Sequence, residues 1–172
     1  MVALSNWITI YTSIPLFVVD CRIQKKAKAL AQIEHLTVET VCKEKDVTAL
    51  DRFRGETGYA PLPVYIQVNT SGEEQKAGVP CTDPSLLHTL VKGITGAEHL
   101  EFRGLMTIGA VGGGVESFET LASLRASLPL PSPLSVMLSM GMTSDFREAI
   151  AHGADIVRVG SAIFGAREYP PK

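Results

Sequence analysis

The residues best suited to chemistry lie near the C-terminus, where an apolar strand pattern runs directly into a Gly-Ser pair. Residues 155–159 are rich in β-branched side chains, and Gly160 and Ser161 open a short helical segment. Glycine lets the backbone approach a ligand closely, serine offers a hydroxyl, and the free N–H groups of the next turn point the same way. The pattern predicts a phosphate-type anion site, with a plain N-cap role for Ser161 as the alternative.

A second turn of the same kind precedes this one. Residues 134–138 read as a strand, and the small residues 139–142 follow it before a helix that Thr143 or Ser144 can cap. Loops after neighbouring strands of a parallel barrel meet at its C-terminal face. We therefore expect backbone amides of this second loop to close on the other side of the same phosphate. The alternative is that Met140 and Met142 only fill the core.

Arg158 stands near the middle of the last strand, which is expected to be buried on both faces. A buried guanidinium without a partner costs several kcal/mol, so a buried arginine must be paired or hydrogen-bonded. An acceptor atom of a ligand inside the barrel would satisfy it. A structural salt bridge, for instance to Glu39 or Glu101, is the alternative.

Other chemistries have little support. No Ser/His/Asp arrangement or carboxylate pair can be selected, so no catalytic residue is predicted. The four histidines are scattered, and Cys21, Cys42 and Cys81 have no paired spacing, so no metal site is predicted. An odd number of unpaired cysteines fits a reducing compartment, and we expect a cytoplasmic protein.

The elements that must position these residues alternate between helix and strand. Helical periodicity covers residues 22–33, and strands are predicted at 37–41, 64–68 and 103–108. A polar loop at 69–80 precedes a helix start predicted at Asp83-Pro84, and a Gly-rich turn at 109–114 follows the third strand. This alternation is typical of βαβ units and a parallel sheet. Because no GxGxxG follows an early strand, we favour a (β/α) barrel over a dinucleotide-binding sheet. About five or six strands can be counted, whereas a complete barrel has eight, so residues 1–172 are expected to form one incomplete barrel domain.

Composition limits the partners. Hydrophobic residues make up 45% of the chain and charged residues 20%, with a formal net charge of −2. Such a chain has no general attraction for nucleic acid or acidic membranes. The apolar stretch 7–19 is too short and too polar to span a bilayer. Composition therefore gives no support to nucleic acid or a membrane as the partner.

Four sequence blocks, taken in order, resemble the pyridoxal phosphate homeostasis protein family, also called YggS-like proteins or proline synthetase co-transcribed homologues. A shorter match to the family is VETV at 38–41. The four blocks are VYIQVNTSGEE (64–74), RGLMTIG (103–109), LSMGM (138–142) and VRVGSAIFGAR (157–167).

The resemblance implies a barrel of the alanine racemase N-terminal type that binds pyridoxal 5′-phosphate (PLP) and buffers or delivers it without catalytic turnover. Ser139, Met140, Gly160 and Ser161 would hold the phosphate. Arg158 matches the arginine that approaches the cofactor in this fold, and we expect it at the pyridine nitrogen. A cation there disfavours ring protonation and weakens the electron sink that PLP enzymes use.

The sequence departs from the family at its N-terminus. Residues 1–37 match poorly, and neither the strand-borne lysine that forms the Schiff base nor the following FGEN-like motif is found. The chain reads as a family member whose first two or three βα units are missing or replaced. We therefore expect weak, non-covalent PLP binding and self-association through an exposed barrel edge.

Two alternatives remain open at this point. The first is a PLP-dependent racemase-like or decarboxylase-like enzyme, which would need a catalytic lysine and an acid/base residue such as a tyrosine. The second is a truncated remnant of the family that no longer binds PLP.

Overall fold

A computed structural model describes residues 16–20, 22–73, 75–110 and 114–165. Within these ranges strands and helices alternate almost throughout, with one 3₁₀ helix at Pro133–Ser135. The strands are β1 (Leu16–Val18), β2 (Leu36–Val41), β3 (Leu62–Asn69), β4 (Val79–Pro80), β5 (Leu100–Met106), β6 (Met137–Met142) and β7 (Ile156–Arg158). The helices are α1 (Ile23–Ala31), α2 (Glu44–Gly55), α3 (Pro84–Thr95), α4 (Val115–Ala126), α5 (Phe146–Ala151) and α6 (Ser161–Phe164).

The sheet is parallel and wound in one direction. Its order is β1-β2-β3-β5-β6-β7, with the two-residue β4 pairing beside β3. Right-handed crossovers that always advance in the same direction leave every helix on the same face, as in a (β/α) barrel. A doubly wound sheet would instead reverse its order at a switch point. The predicted fold class, an incomplete parallel barrel, is confirmed.

The hydrophobic core lies between the helices and one face of the sheet. Alternate residues of β3 point towards the helices, because successive side chains of a strand face opposite sides. These are Leu62, Val64, Ile66 and Val68, all buried in the core. Helices α2 and α3 pack against them with apolar faces that include Val47, Leu50, Leu87, Leu90 and Ile94. Helix α1 packs against β2 with a face that includes Ile23, Ala27 and Leu30. The opposite, concave face is left free to carry polar side chains.

Several element boundaries differ from the sequence prediction. The strand predicted at residues 134–138 is β6 and runs from Met137 to Met142, while Leu134 belongs to the 3₁₀ helix. Helix α5 is preceded by Asp145, not by Thr143 or Ser144. The predicted start of α3 is confirmed, since the Asp83 side chain accepts a hydrogen bond from the Leu86 amide.

Some predicted features lie outside the described residues. They comprise the apolar stretch at 7–15, part of the Gly-rich turn at 111–113, Glu74 of the polar loop, and Ala166 and Arg167 of the last motif. None of the described helices is long and apolar enough to cross a membrane.

Gly104 is needed where β5 lies against β6. A Cβ placed on it would come within 2.1 Å of the Met137 carbonyl oxygen and 2.7 Å of Cε1 of Tyr65. Since the first contact is with backbone, Gly104→Ala is expected to lower the free energy of unfolding by about 3 kcal/mol. Chemical denaturation would measure this loss.

Gly93→Ala in α3 is the matched control for that variant. Its added Cβ would have its nearest contact with Cγ1 of Val47 at 3.9 Å, an ordinary van der Waals distance. Its free energy of unfolding should rise by about 0.5–1 kcal/mol, because alanine has a better helix propensity than glycine. Equal effects of the two substitutions would refute the close-approach argument.

Candidate functional site at the ends of strands β6 and β7

Arg158 ends β7, and its guanidinium lies on the concave face of the sheet. Nη1 donates to the Ser139 hydroxyl at 2.7 Å and Nη2 donates to the Thr107 carbonyl oxygen at 2.6 Å. The side chain retains 20% of its exposure, so one side of it faces solvent. Burial lowers the Arg158 pKa, and the negative charges of Glu39 and Asp145 oppose that shift.

Glu39 faces Arg158 from the other side of the curved sheet. Its Oε2 lies 3.8 Å from Nη1 of Arg158, although β2 and β7 are four positions apart in the strand order. A flat sheet would separate these strands by about 19 Å at the usual spacing. Side chains from both can meet because the sheet curves towards barrel closure. Of the two acidic partners considered from the sequence, Glu101 instead pairs with Arg103 at 3.1 Å.

The Glu39 carboxylate is buried without full compensation. The residue is 0% exposed, and neither carboxylate oxygen has a hydrogen-bond partner of good geometry among the described residues. Burial raises the Glu39 pKa, while the nearby Ser139 hydroxyl and the Arg158 charge act to lower it. The charge of Glu39 also contributes, after burial, to the rise of the Tyr65 pKa to about 12.

The raised Glu39 pKa predicts a specific dependence of stability on pH. The folded state holds this proton more tightly than the unfolded chain, so stability falls as pH rises from about 4.3 through the raised value. Glu39→Gln removes this ionisation. We expect its melting temperature, relative to that of the unmodified protein, to increase with pH across that window by about 3 °C.

Thermal melts of both proteins over a pH series measure this difference. The raised pKa of Asp46 affects both proteins equally and cancels in the comparison. A melting-temperature difference that is constant with pH, or that shrinks as pH rises, would contradict the assignment.

Ser139 and Met140 lie inside β6 rather than in the loop after it. Ser139 is 0% exposed, and its hydroxyl accepts the Arg158 hydrogen bond. Met140 is also 0% exposed, and its side chain is part of the hydrophobic core. The alternative considered for the Met140 side chain is therefore what the structure shows. A contact of either backbone amide with a phosphate remains a prediction.

Gly160 and Ser161 follow β7 at the exposed C-terminal end of the sheet. The Gly160 amide donates to the Thr143 hydroxyl at 3.0 Å, which joins this turn to the loop after β6. Gly160 has open space around its Cα, since a Cβ built there meets nothing within 4 Å. The two loops are thus adjacent, as predicted.

Further polar groups at the same end of the sheet were not singled out from the sequence. The Thr107 hydroxyl is 2.8 Å from that of Thr70 and accepts from the Gly109 amide at 3.1 Å. Lys76 donates to the Gly109 carbonyl at 2.6 Å and is ion-paired with Glu73. A continuous polar network therefore runs from Arg158 to Lys76. In the sequence, Lys76 stands in the polar loop after β3 and just after the family-like block at 64–74.

The arrangement can recognise a ligand with two different ends. Exposed main-chain and hydroxyl donors near Gly160, Ser161 and Thr143 suit an anionic group. The Arg158 guanidinium, which has more N–H groups than its two hydrogen bonds use, suits an acceptor atom. In the described ranges, no group of three or more His, Cys, Asp or Glu side chains could hold a metal ion.

A one-directional parallel (β/α) sheet with polar residues at the C-terminal ends of its last strands is the arrangement of the (β/α) barrel class, in which sites lie at that face. The family model described as "Alanine racemase, N-terminal domain" matches residues 11–168. The chain therefore belongs to the alanine racemase N-terminal domain family.

Curated relatives with similar sequences are named pyridoxal phosphate homeostasis proteins. The one from Schizosaccharomyces pombe is 43% identical over 148 residues, which cover 83% of this chain and 61% of the relative. The human one is 46% identical over 120 residues, covering 64% of this chain and 42% of the relative. The resemblance found in the sequence motifs is thereby confirmed. The chain spans 56–61% of the length of the relatives from S. pombe, Caenorhabditis elegans and Vibrio cholerae.

Solved structures agree with this fold. PipY of Synechococcus elongatus without PLP superposes with a TM-score of 0.78 at 27% identity, covering 93% of this chain and 75% of PipY. PipY with PLP bound gives a TM-score of 0.71 at 25% identity, covering 93% and 74%. An alanine racemase of Clostridium difficile shares the fold at 10% identity, with a TM-score of 0.73 over 96% of this chain and 43% of the racemase.

Proposed function

We propose that this chain binds PLP reversibly at the C-terminal ends of β6 and β7 and acts in PLP homeostasis without catalytic turnover. The observation that carries the proposal is the hydrogen-bonded Arg158–Ser139 pair beside the two joined loops. The names of the relatives and the PLP-bound PipY structure support the choice of ligand. No described feature favours an enzyme over a binding protein.

The residues fit the two ends of PLP. Gly160 and Ser161 would hold the phosphate through an amide and a hydroxyl, with the amides of Ser139 and Met140 on the β6 side. Arg158 would face the pyridine nitrogen, which is an acceptor when unprotonated. When bound, PLP supplies an aldehyde and an electron-poor ring. A guanidinium at the ring nitrogen favours the unprotonated ring, which suits storage better than catalysis.

Binding is proposed to be non-covalent. Every lysine in the described ranges lies on a helix or in a loop, and none lies on a strand that could project it into the concave face. Lys76 is the most buried of those near the site, and its amine is ion-paired with Glu73.

A PLP titration followed by borohydride reduction tests the proposal. We expect a saturable change in the PLP spectrum. Peptide mass spectrometry should show no stoichiometric reduced adduct on any lysine. Absence of the spectral change would overturn PLP binding, and a stoichiometric adduct would overturn its non-covalent form. Silent racemisation assays with several amino acids are expected from a protein without turnover.

A variant pair locates the phosphate. Ser161→Asp places a like charge beside the expected phosphate and should weaken PLP binding at least about tenfold. Ser123→Asp changes an exposed serine of α4 and should bind PLP like the unmodified protein. Equal affinities for both variants would remove Ser161 from the site.

We also propose self-association through the exposed strand edge. Leu16 and Phe17 of β1 are 56% and 46% exposed, which is high for apolar residues on a strand. Sedimentation velocity at several concentrations measures this. A sedimentation coefficient that does not change with concentration and corresponds to a monomer would contradict it.

A further inference from the structure

Glu39 is the least compensated charged group on the concave face. It is completely buried, yet both carboxylate oxygens lack a hydrogen-bond partner of good geometry within the described part of the chain. Burying an ionised carboxylate is costly unless a cation or hydrogen-bond donors compensate for it. A purely structural core position of this kind would be better filled by an apolar residue. The buried carboxylate of Glu39 therefore calls for a functional explanation.

The surroundings of Glu39 identify the group on which it acts. Arg158 is the cation that faces it, at 3.8 Å, and Ser139 lies beside both. The Ser139 hydroxyl accepts from Arg158, so its own proton is available to a carboxylate. The Glu39 charge also contributes, after burial, to raising the pKa of Tyr65 on β3. Asp145 is the other acidic group whose charge reaches Arg158.

We propose that Glu39 is a positioning residue that holds the Arg158 guanidinium over the concave face, where the ring end of the ligand would lie. The ligand part of this inference rests on the proposed function. Arg158 is anchored on one side by the Thr107 carbonyl and by Ser139. Glu39 supplies the only attractive charge from the far side of the sheet that the described residues bring within 4.0 Å.

The experiment has one readout without PLP and one with it. Phenylglyoxal modifies arginine side chains, and peptide mass analysis gives the rate at Arg158. Glu39→Gln should raise that rate several-fold, because the guanidinium loses its facing charge. Glu101→Gln, which removes an exposed carboxylate paired with Arg103, is the matched control and should leave the Arg158 rate unchanged.

The second readout is PLP affinity as a function of pH. The unmodified protein should lose affinity as pH falls through the raised Glu39 pKa, because protonation ends its hold on Arg158. Glu39→Gln should bind PLP about tenfold more weakly near neutral pH, and its affinity should lack the pH-dependent component that comes from Glu39. The component from the PLP phosphate, expected near pH ~6, remains in both proteins. Glu39→Asp keeps the charge and should retain the pH component even with reduced affinity.

The outcomes separate the two proposals. If the unmodified protein does not bind PLP, the proposed function fails, while a faster Arg158 reaction in Glu39→Gln still supports the positioning role. If the unmodified protein binds PLP but Glu39→Gln matches it in affinity, pH profile and Arg158 reactivity, the positioning role is overturned and the proposed function stands. Loss of the pH component in Glu39→Asp would also overturn it.

Discussion

Arg158→Gln is expected to weaken PLP binding by about a hundredfold, or ~2.7 kcal/mol. The substitution removes the cation proposed to face the pyridine ring and leaves the Glu39 carboxylate buried without the cation at 3.8 Å. The uncompensated negative charge would also repel a ligand that carries a phosphate. Spectroscopic titration with PLP gives the affinity. An Arg158→Gln protein within twofold of the unmodified affinity would refute the assignment.

Two further variants separate binding from folding. Arg147→Gln removes an exposed arginine of α5 and should leave PLP affinity unchanged. In the Glu39→Gln/Arg158→Gln double variant, the buried carboxylate and its cation are removed together. Because breaking a buried pair costs more than deleting it, stability should recover towards that of the unmodified protein. PLP affinity should not recover, since the guanidinium is still missing.

Arg54→Met is expected to lower the free energy of unfolding by about 4 kcal/mol. Arg54 is 1% exposed and donates to four main-chain carbonyls near the end of α1 and the start of β3. The acceptors are Ala31, Ile33, Glu34 and Ala60, at 2.8–3.0 Å. Methionine fills a similar volume but leaves these carbonyls without their donors.

Urea denaturation measures the Arg54 effect, and Arg52→Met is its control in the same helix. Arg52 has a side chain that is 72% exposed and a surface ion pair with Glu56 at 3.5 Å. Such pairs contribute about 0–1 kcal/mol, so Arg52→Met should be nearly neutral. Similar losses in the two variants would show that burial of Arg54 is not what stabilises this corner.

Much of the fold could be predicted because its signals are local. β-branched runs found β2, β3 and β7, and Asp83-Pro84 gave the start of α3. Strand β1 was missed, since Leu16–Val18 is only three residues long and lies in a stretch without clear alternation. The end of β6 was placed too early because small residues and Gly141 resemble a turn. That glycine has φ of +91° and lies against Ala149 of α5.

The candidate site was predicted less completely, because its contacts join residues distant in the chain. Arg158 stood out as a charge within an apolar strand, but spacing alone could not choose between Glu39 and Glu101. Sheet curvature decides this, since it brings β2 across to β7. Arg54 was not singled out from the sequence, because its carbonyl acceptors lie mostly at the end of another helix.

The hydrogen bond between the Gly160 amide and the Thr143 hydroxyl has a consequence for release of the ligand. A phosphate oxygen that used this amide would have to take the place of the threonine. Loading is then an exchange of one acceptor for another, and the net gain is only the difference between the two bonds. When the ligand dissociates, the Thr143 hydroxyl can accept the hydrogen bond from the Gly160 amide again. In the proposed function, this exchange would let PLP dissociate while the Gly160 amide keeps a hydrogen-bond acceptor.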